Sequence, residues 1–216
     1  RTSDHGARGL SLFLVSGGTP GFHLGRAVTG KLGMRAASCA ELVFQDCQVP
    51  DTHRVGAEGT AVMQMMRTLE IERLALAAIG VGIGLRALEI MNAYASHRRV
   101  EDQPLRAFGQ IQRHIAETHA QVMAARALVY EVASSLDLDR PGPGIGADSA
   151  KLVAAQAAQD AADRAIQVLG GNGYVADYEV ERLWRDARLL SIGGGTNEAL
   201  QKNITRNLSR RPGRLT

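Results

Sequence analysis

Apolar and polar positions alternate in two different ways along the chain. Residues 1 to about 55 read as β structure. Leu10-Ser11-Leu12-Phe13-Leu14-Val15 is a short apolar strand, stopped by Gly17-Gly18-Thr19-Pro20. Glu41-Leu42-Val43-Phe44 is a second strand, closed before Pro50, and Phe22 to Leu24 reads as a third. Lys31-Leu32-Gly33-Met34-Arg35 between them is less regular. After Gly59 the period becomes helical, and no proline interrupts Thr60 to Arg98. A second long helix is predicted from Pro104 to Leu136, with Pro104 in its first turn. Pro141 to Gly146 reads as a loop. A third helix is predicted from Asp148 to Leu169, capped by Asp148 or Ser149 and ended by Gly170-Gly171-Asn172-Gly173. Two shorter helices follow, Asp177 to Leu189 and Thr196 to Leu208, separated by Ile192-Gly193-Gly194-Gly195. Arg210 to Thr216 is expected to be a frayed tail. The predicted organisation is a β portion over 1–55, an antiparallel helical bundle over 56–209 and a tail over 210–216.

Composition narrows the function classes. Hydrophobic residues are 45% and charged residues 22% of 216, the balance of a globular chain. Aromatics are only 4%, so the core must be aliphatic, rich in alanine and methionine. A net charge of +3, with no basic run interleaved with aromatics, gives no nucleic-acid signature. No apolar run is expected to approach the ~20 residues that span a bilayer. Cys39 and Cys47 are too few for a disulfide framework and lack zinc spacing, so free thiols in a reducing compartment are expected. The opening Arg-Thr-Ser-Asp-His carries neither an initiator methionine nor a signal peptide and reads as an entry in mid-protein.

One carboxylate stands out. Met65, Leu69, Leu76, Ile79 and Ile83 are spaced four and three apart, and the position completing that face is Glu72. Glu70, two residues away, points elsewhere, beside Arg67 and Arg73, and reads as a solvated helix glutamate. A carboxylate in an apolar stripe is costly unless paired or functional. Desolvation raises its pKa and makes it a better base near neutrality. From the stripe alone, pairing with an arginine of another helix and service as a base both stand. Gly80, Gly82 and Gly84 lie inside a helix rather than after a strand. They read as a close-packing face, not as a dinucleotide fingerprint. The glycine clusters at 170–173 and 193–195 suit tight turns, or backbone amides that approach phosphates. Arg98-Arg99 at a helix end suits the helix dipole or an anion. The six histidines show no metal spacing, and no serine sits in a nucleophile elbow.

Ordered motifs then converge. These are Pro20-Gly21-Phe22, Lys31-Leu32-Gly33-Met34-Arg35, Glu41-Leu42-Val43-Phe44 with Val49-Pro50, and Leu69-Glu70-Ile71-Glu72-Arg73. They continue with Gly170-Gly171-Asn172-Gly173-Tyr174, Arg185-Asp186-Ala187-Arg188 and Gly195-Thr196-Asn197-Glu198. Over roughly residues 5 to 208 the chain resembles the C-terminal half of the acyl-CoA dehydrogenase flavoproteins. The resemblance implies a mainly α fold with a β portion: the end of a middle β domain followed by a C-terminal four-helix bundle. It implies FAD as cofactor, an acyl-CoA substrate, electron-transfer flavoprotein as oxidant and a homotetrameric assembly. The compartment implied is the cytoplasm of a bacterium or the mitochondrial matrix of a eukaryote.

The resemblance also assigns roles. Most members carry the α-proton-abstracting glutamate just before the final Gly-Thr, where this chain has Gly194. The isovaleryl-CoA and long-chain branches carry it on the first bundle helix, where this chain has Glu72. Glu70, Ile71, Arg73, Gly194 and Gly195 fall at substrate positions. Arg98 aligns with an arginine that reaches the flavin diphosphate of a neighbouring subunit. Gln167, Val168, Leu169, Gly170 and Gly171 align with a segment contacting the adenosine end across the dimer. Thr196, Asn197 and Glu198 align with residues that hold the cofactor after the substrate loop. Two departures are visible: Glu101-Asp102 stand where Phe-Gly is usual, and Gly109 stands where a glutamine is usual, with Gln110 adjacent. The expected reaction is dehydrogenation of a branched acyl-CoA. Terpenoid or long-chain acyl-CoA dehydrogenases, or a non-catalytic bundle subunit, are the alternatives.

Overall fold

The computed structural model describes residues 1–137 and 144–210. Half of the predicted loop at 141–146, and the predicted tail beyond Arg210, lie outside them. The chain divides into two compact units, Arg1–Leu69 and Glu70–Thr216.

The first unit is built from short antiparallel pairs. β1 (Leu12–Phe13) pairs with β4 (Arg54–Val55), and β2 (Phe22–Ala27) pairs with β3 (Ala40–Phe44). Phe22 faces Phe44 across the second pair, their rings stacked at 5.0 Å. The strand expected over Leu10–Val15 is thus only two residues long: Leu14 still donates to the His53 carbonyl in register, but there the facing segment is a 3-10 turn, Asp51–His53. Lys31 explains the irregular segment after β2: its ammonium donates to the carbonyls of Met34 and Ala37 and curls the chain around itself. Leu24, Leu42 and Phe44 stay exposed on the β2–β3 ribbon. A two-stranded ribbon is marginal by itself, so these apolar positions suit a larger sheet.

The second unit is helical, as expected. α1 (Ala61–His97) enters it from the first unit, followed by α2 (Gly109–Ser134), α3 (Ile145–Leu169), α4 (Val180–Leu189) and α5 (Asn197–Ser209). Leu74, Ala77 and Val81 of α1 pack on Ala125 and Val129 of α2 and on Ala147, Ala150, Ala154 and Ala157 of α3. The core is therefore aliphatic and alanine-rich, as the low aromatic content requires. Gly80 and Gly84 allow the close approach. A Cβ on Gly80 would lie 2.9 Å from the Ala154 carbonyl oxygen, and one on Gly84 would lie 2.8 Å from Val122 Cγ2. Gly82 does not share that face; it is exposed, with open space beside it.

Several expectations are corrected. Pro104 does not start a helix. It ends β6 (Gln103–Pro104), which pairs with β5 (Arg99–Val100), and α2 begins at Gly109. Asp148 and Ser149 do not cap α3; Gly144, at φ 71°, occupies that position. α4 begins at Val180 because a short 3-10 turn takes Ala176–Tyr178. α1 does contain a stretch long and apolar enough, by length and composition, to cross a membrane. Its buried glycine and alanine face accounts for that stretch as the core helix of the bundle.

Candidate active site

The phase of α1 is the principal correction. Its buried positions are Glu70, Leu74, Ala77, Gly80, Val81, Ile83, Gly84, Ala87, Met91 and Ala95. Ile83 belongs to the predicted stripe, but Met65, Glu72 and Ile79 are exposed, and Leu69 and Leu76 are half-buried. Glu72 is therefore not sunk in this bundle. It stands on an outward face beside Leu76 and Ile79. Glu70, expected in solvent, is the buried one, 8% exposed.

Gly194 comes to the same place from far along the chain. A Cβ built on it would lie 3.7 Å from Glu72 Oε1 and 2.6 Å from Leu76 Cδ1. Gly194 and Gly195 adopt φ of 66° and 102°, the left-handed region that side chains avoid. The Ile192–Thr196 loop thus passes directly against the carboxylate, with no side chain between them at position 194.

The loop is held from beneath by charge. Arg73 Nε donates to the Gly194 carbonyl at 2.8 Å, and Arg73 Nη1 pairs with Asp148 Oδ1 at 2.7 Å. Lys151 Nζ donates to the Gly195 carbonyl at 2.8 Å. Asp148 and Lys151 are both buried, one helical turn apart on α3. Burial pushes the Asp148 carboxyl up, against the pull of Arg73 and of hydrogen bonds from Arg73 and Asn203, with Glu70 adding to the rise. Burial and then Arg73 push the Lys151 ammonium down, against Asp148 and Glu198. Asp148 and Lys151 were missed in the sequence, where Asp148 passes for a cap. The available signal was a lysine inside an alanine stripe, three residues after an aspartate.

The remaining predicted residues fall into two groups. Thr196 caps α5, its hydroxyl accepting from the Ala199 amide at 3.3 Å. The Glu198 carboxyl is held below its usual range by its own backbone amide and the Thr196 hydroxyl. Asn197 Oδ1 is buried without a hydrogen-bond partner. Arg98, Gln167, Gly170 and Gly171 lie at the other end of the bundle. Asn172 ties that end together by donating to the Tyr94 hydroxyl at 2.9 Å. Arg98 and Gln167 are exposed, and Gly170 and Gly171 have open space beside their Cα atoms. Val168 and Leu169 are buried, so only their backbone can meet a ligand. Along α1, Glu72 and Arg98 are roughly 39 Å apart at 1.5 Å per residue. Arg98 therefore takes no part in chemistry at Glu72 of the same chain.

The family described as acyl-CoA dehydrogenase, C-terminal domain, matches residues 58–209. This chain belongs to the acyl-CoA dehydrogenase family. It is 38% identical over 208 residues to a mitochondrial isovaleryl-CoA dehydrogenase of Oryza sativa subsp. japonica, covering 94% of this chain and 49% of that protein. It is 36% identical to the cyclohexane-1-carbonyl-CoA dehydrogenase of Geobacter metallireducens, covering 96% and 54%. Butyryl-CoA dehydrogenase of Megasphaera elsdenii superposes with a TM-score of 0.92 at 35% identity, over 96% of this chain and 54% of that one. The chain thus spans about half the length of the curated relatives it matches. Acyl-CoA dehydrogenases are FAD-dependent. The residues present fit such a cofactor: the unpartnered Asn197 oxygen is an acceptor suited to an amine or hydroxyl, Gly171 leaves its backbone approachable, and Arg98 offers a cation for a diphosphate.

Proposed function

We propose that this chain carries the proton-abstracting side of an FAD-dependent acyl-CoA dehydrogenase, with Glu72 as the general base. One observation carries the reading: the Glu72 carboxylate sits on an outward apolar face, 3.7 Å from where a side chain at Gly194 would begin. Ile79 on that face is 44% exposed, apolar surface that the bundle itself does not bury. A bound acyl chain would cover it and exclude water from around Glu72. In the reaction the Cα–H bond breaks to Glu72 as a proton, and a Cα=Cβ bond forms in the 2-enoyl-CoA. FAD, when bound, accepts the departing β-hydride. Glu70 is buried, so it does not reach the substrate, and Arg73 spends its guanidinium on the loop and on Asp148.

The substrate proposed is a short branched acyl-CoA. The isovaleryl-CoA relative supports that choice. The cyclohexane-1-carbonyl-CoA and butyryl-CoA relatives define the competing shapes. Electron-transfer flavoprotein is the proposed acceptor, in a mitochondrial matrix or bacterial cytoplasm according to source. The test is anaerobic bleaching of the flavin in the full-length holoenzyme by a panel of acyl-CoAs. Glu72→Gln should keep the flavin and slow bleaching by about 10²- to 10⁴-fold, the usual scale of general-base catalysis. A rate within threefold of wild type removes Glu72 from the role.

A further inference from the structure

Two consecutive glycines with left-handed φ form the wall facing Glu72, and neither has a side chain by which to be held. Glycine populates many backbone conformations at similar free energy, so something else must select this one. The selection is visible underneath. The carbonyls of Gly194 and Gly195 turn inward onto the Arg73 guanidinium and the Lys151 ammonium, each at 2.8 Å. Because the peptide unit is planar and trans, turning each carbonyl inward turns the amide of the same peptide outward. The two inward bonds therefore fix which way the Gly195 and Thr196 amides face.

The cost of the arrangement argues that it serves more than packing. Arg73 is 14% exposed in its side chain and Asp148 3%. Lys151 is wholly buried, and Glu70 is nearly so. Apolar residues of similar volume often replace such buried ion pairs without loss of stability. Here Arg73 pairs with Asp148 beneath the loop, and both cations, Arg73 and Lys151, end on loop carbonyls. Arg73 is also the immediate neighbour of Glu72 on a rigid helix. The same turn of α1 thus carries the carboxylate and the grip on the wall opposite it.

We propose that Arg73 and Lys151, anchored by Asp148, are positioning residues that hold the Gly194–Gly195 backbone in register with the Glu72 carboxylate. This rests on the reading of Glu72 as the base. Arg73 accordingly moves from substrate contact to support of the loop.

The full-length holoenzyme tests this with Lys151→Met, which keeps length and burial but removes the donor and its charge. Expected are retained flavin and amide exchange of residues 193–196 at least tenfold faster. Flavin reduction by isovaleryl-CoA should slow ten- to hundredfold while KM changes less than threefold. Unchanged exchange overturns the proposal, and so does faster exchange with a reduction rate within threefold of wild type. If Lys151→Met does not fold, Arg73→Lys decides by the same two readouts. It keeps the charge but cannot serve the Gly194 carbonyl and Asp148 in the same geometry. Glu72→Gln, run in parallel, separates the two ideas. If it leaves reduction fast, the base assignment fails, while loop exchange in the Lys151 variant still reports on positioning.

Discussion

At the scale of single residues, the pairing of Glu72 with Gly194 makes a prediction about moving the base. Other branches of the family carry the glutamate at the loop position, so Glu72→Gly with Gly194→Glu is the natural exchange. Two local facts oppose it here. Gly194 has φ 66°, a conformation that costs an L residue about 1–2 kcal/mol. A Cβ there would also meet Leu76 Cδ1 at 2.6 Å, closer than any real contact. The double variant should therefore recover little activity. Adding Leu76→Ala should raise its rate of flavin reduction at least tenfold and shift preference towards straight chains. The comparison to make is single-turnover reduction by isovaleryl-CoA and butyryl-CoA. Full recovery in the double variant alone would mean that Leu76 yields freely and does not exclude a base at 194.

At the scale of elements, the glycines of α1 make a sharper prediction than their helix propensity does. Gly80→Ala drives a Cβ into the Ala154 carbonyl, which is backbone and cannot step aside. Gly84→Ala drives one into a methyl of Val122. Both should destabilise the full-length protein, each by about 1–3 kcal/mol of overpacking, read as a lower unfolding temperature. Val122→Ala should relieve Gly84→Ala but leave Gly80→Ala unchanged, and thermal unfolding of the double variants would reveal any other pattern. The same residues explain what was legible in the sequence. The limits of α1 were clear, because an unbroken helical period needs no tertiary context. Its rotation was not. The core selects Ala77, Gly80, Gly84 and Ala87 because small residues let helices approach, while the bulkier Ile79 and Met65 remain outside. A stripe drawn through the largest apolar residues therefore selects an outward face, Glu72 included, and not the core. Local turn chemistry was similarly hidden. Glu101 and Asp102 both have positive φ and form the two-residue turn between β5 and β6, so Pro104 lies in a hairpin. Asp148 reads as a cap in the sequence because its ion pair with Arg73 spans 75 residues and leaves no local trace.

At the scale of the whole molecule, the two groups of expected cofactor residues lie at opposite ends of one bundle. Thr196 to Glu198 share the end of Glu72, whereas Arg98 and Gln167 to Gly171 share the end tied by Asn172 and Tyr94. With roughly 39 Å of helix between Glu72 and Arg98, the second group suits a cofactor seated on another copy of the chain. The protein is accordingly expected to be at least a dimer, and a tetramer on the pattern of its family. Arg98 is placed for that contact. Its backbone is fixed at both sides, the amide to the Tyr94 carbonyl and the carbonyl to the Leu105 amide, while its side chain is exposed. Arg99 differs, because its guanidinium donates to the Asp102 carbonyl and closes its own hairpin. A hydrogen bond to a charged group contributes about 1.5–3 kcal/mol, so Arg98→Ala should weaken FAD binding roughly ten- to hundredfold. Arg99→Ala should loosen the hairpin yet keep the flavin. Flavin content after gel filtration and mass by light scattering, at matched protein concentration, decide between them. A contact that joins two copies would make flavin loss in Arg98→Ala grow as the protein is diluted, and added FAD would then restore both mass and the rate of reduction. Loss of flavin that is independent of dilution would return Arg98 to a contact within its own chain, and no loss at all would mean that the Glu101–Asp102 hairpin has taken the place of the cross-subunit grip.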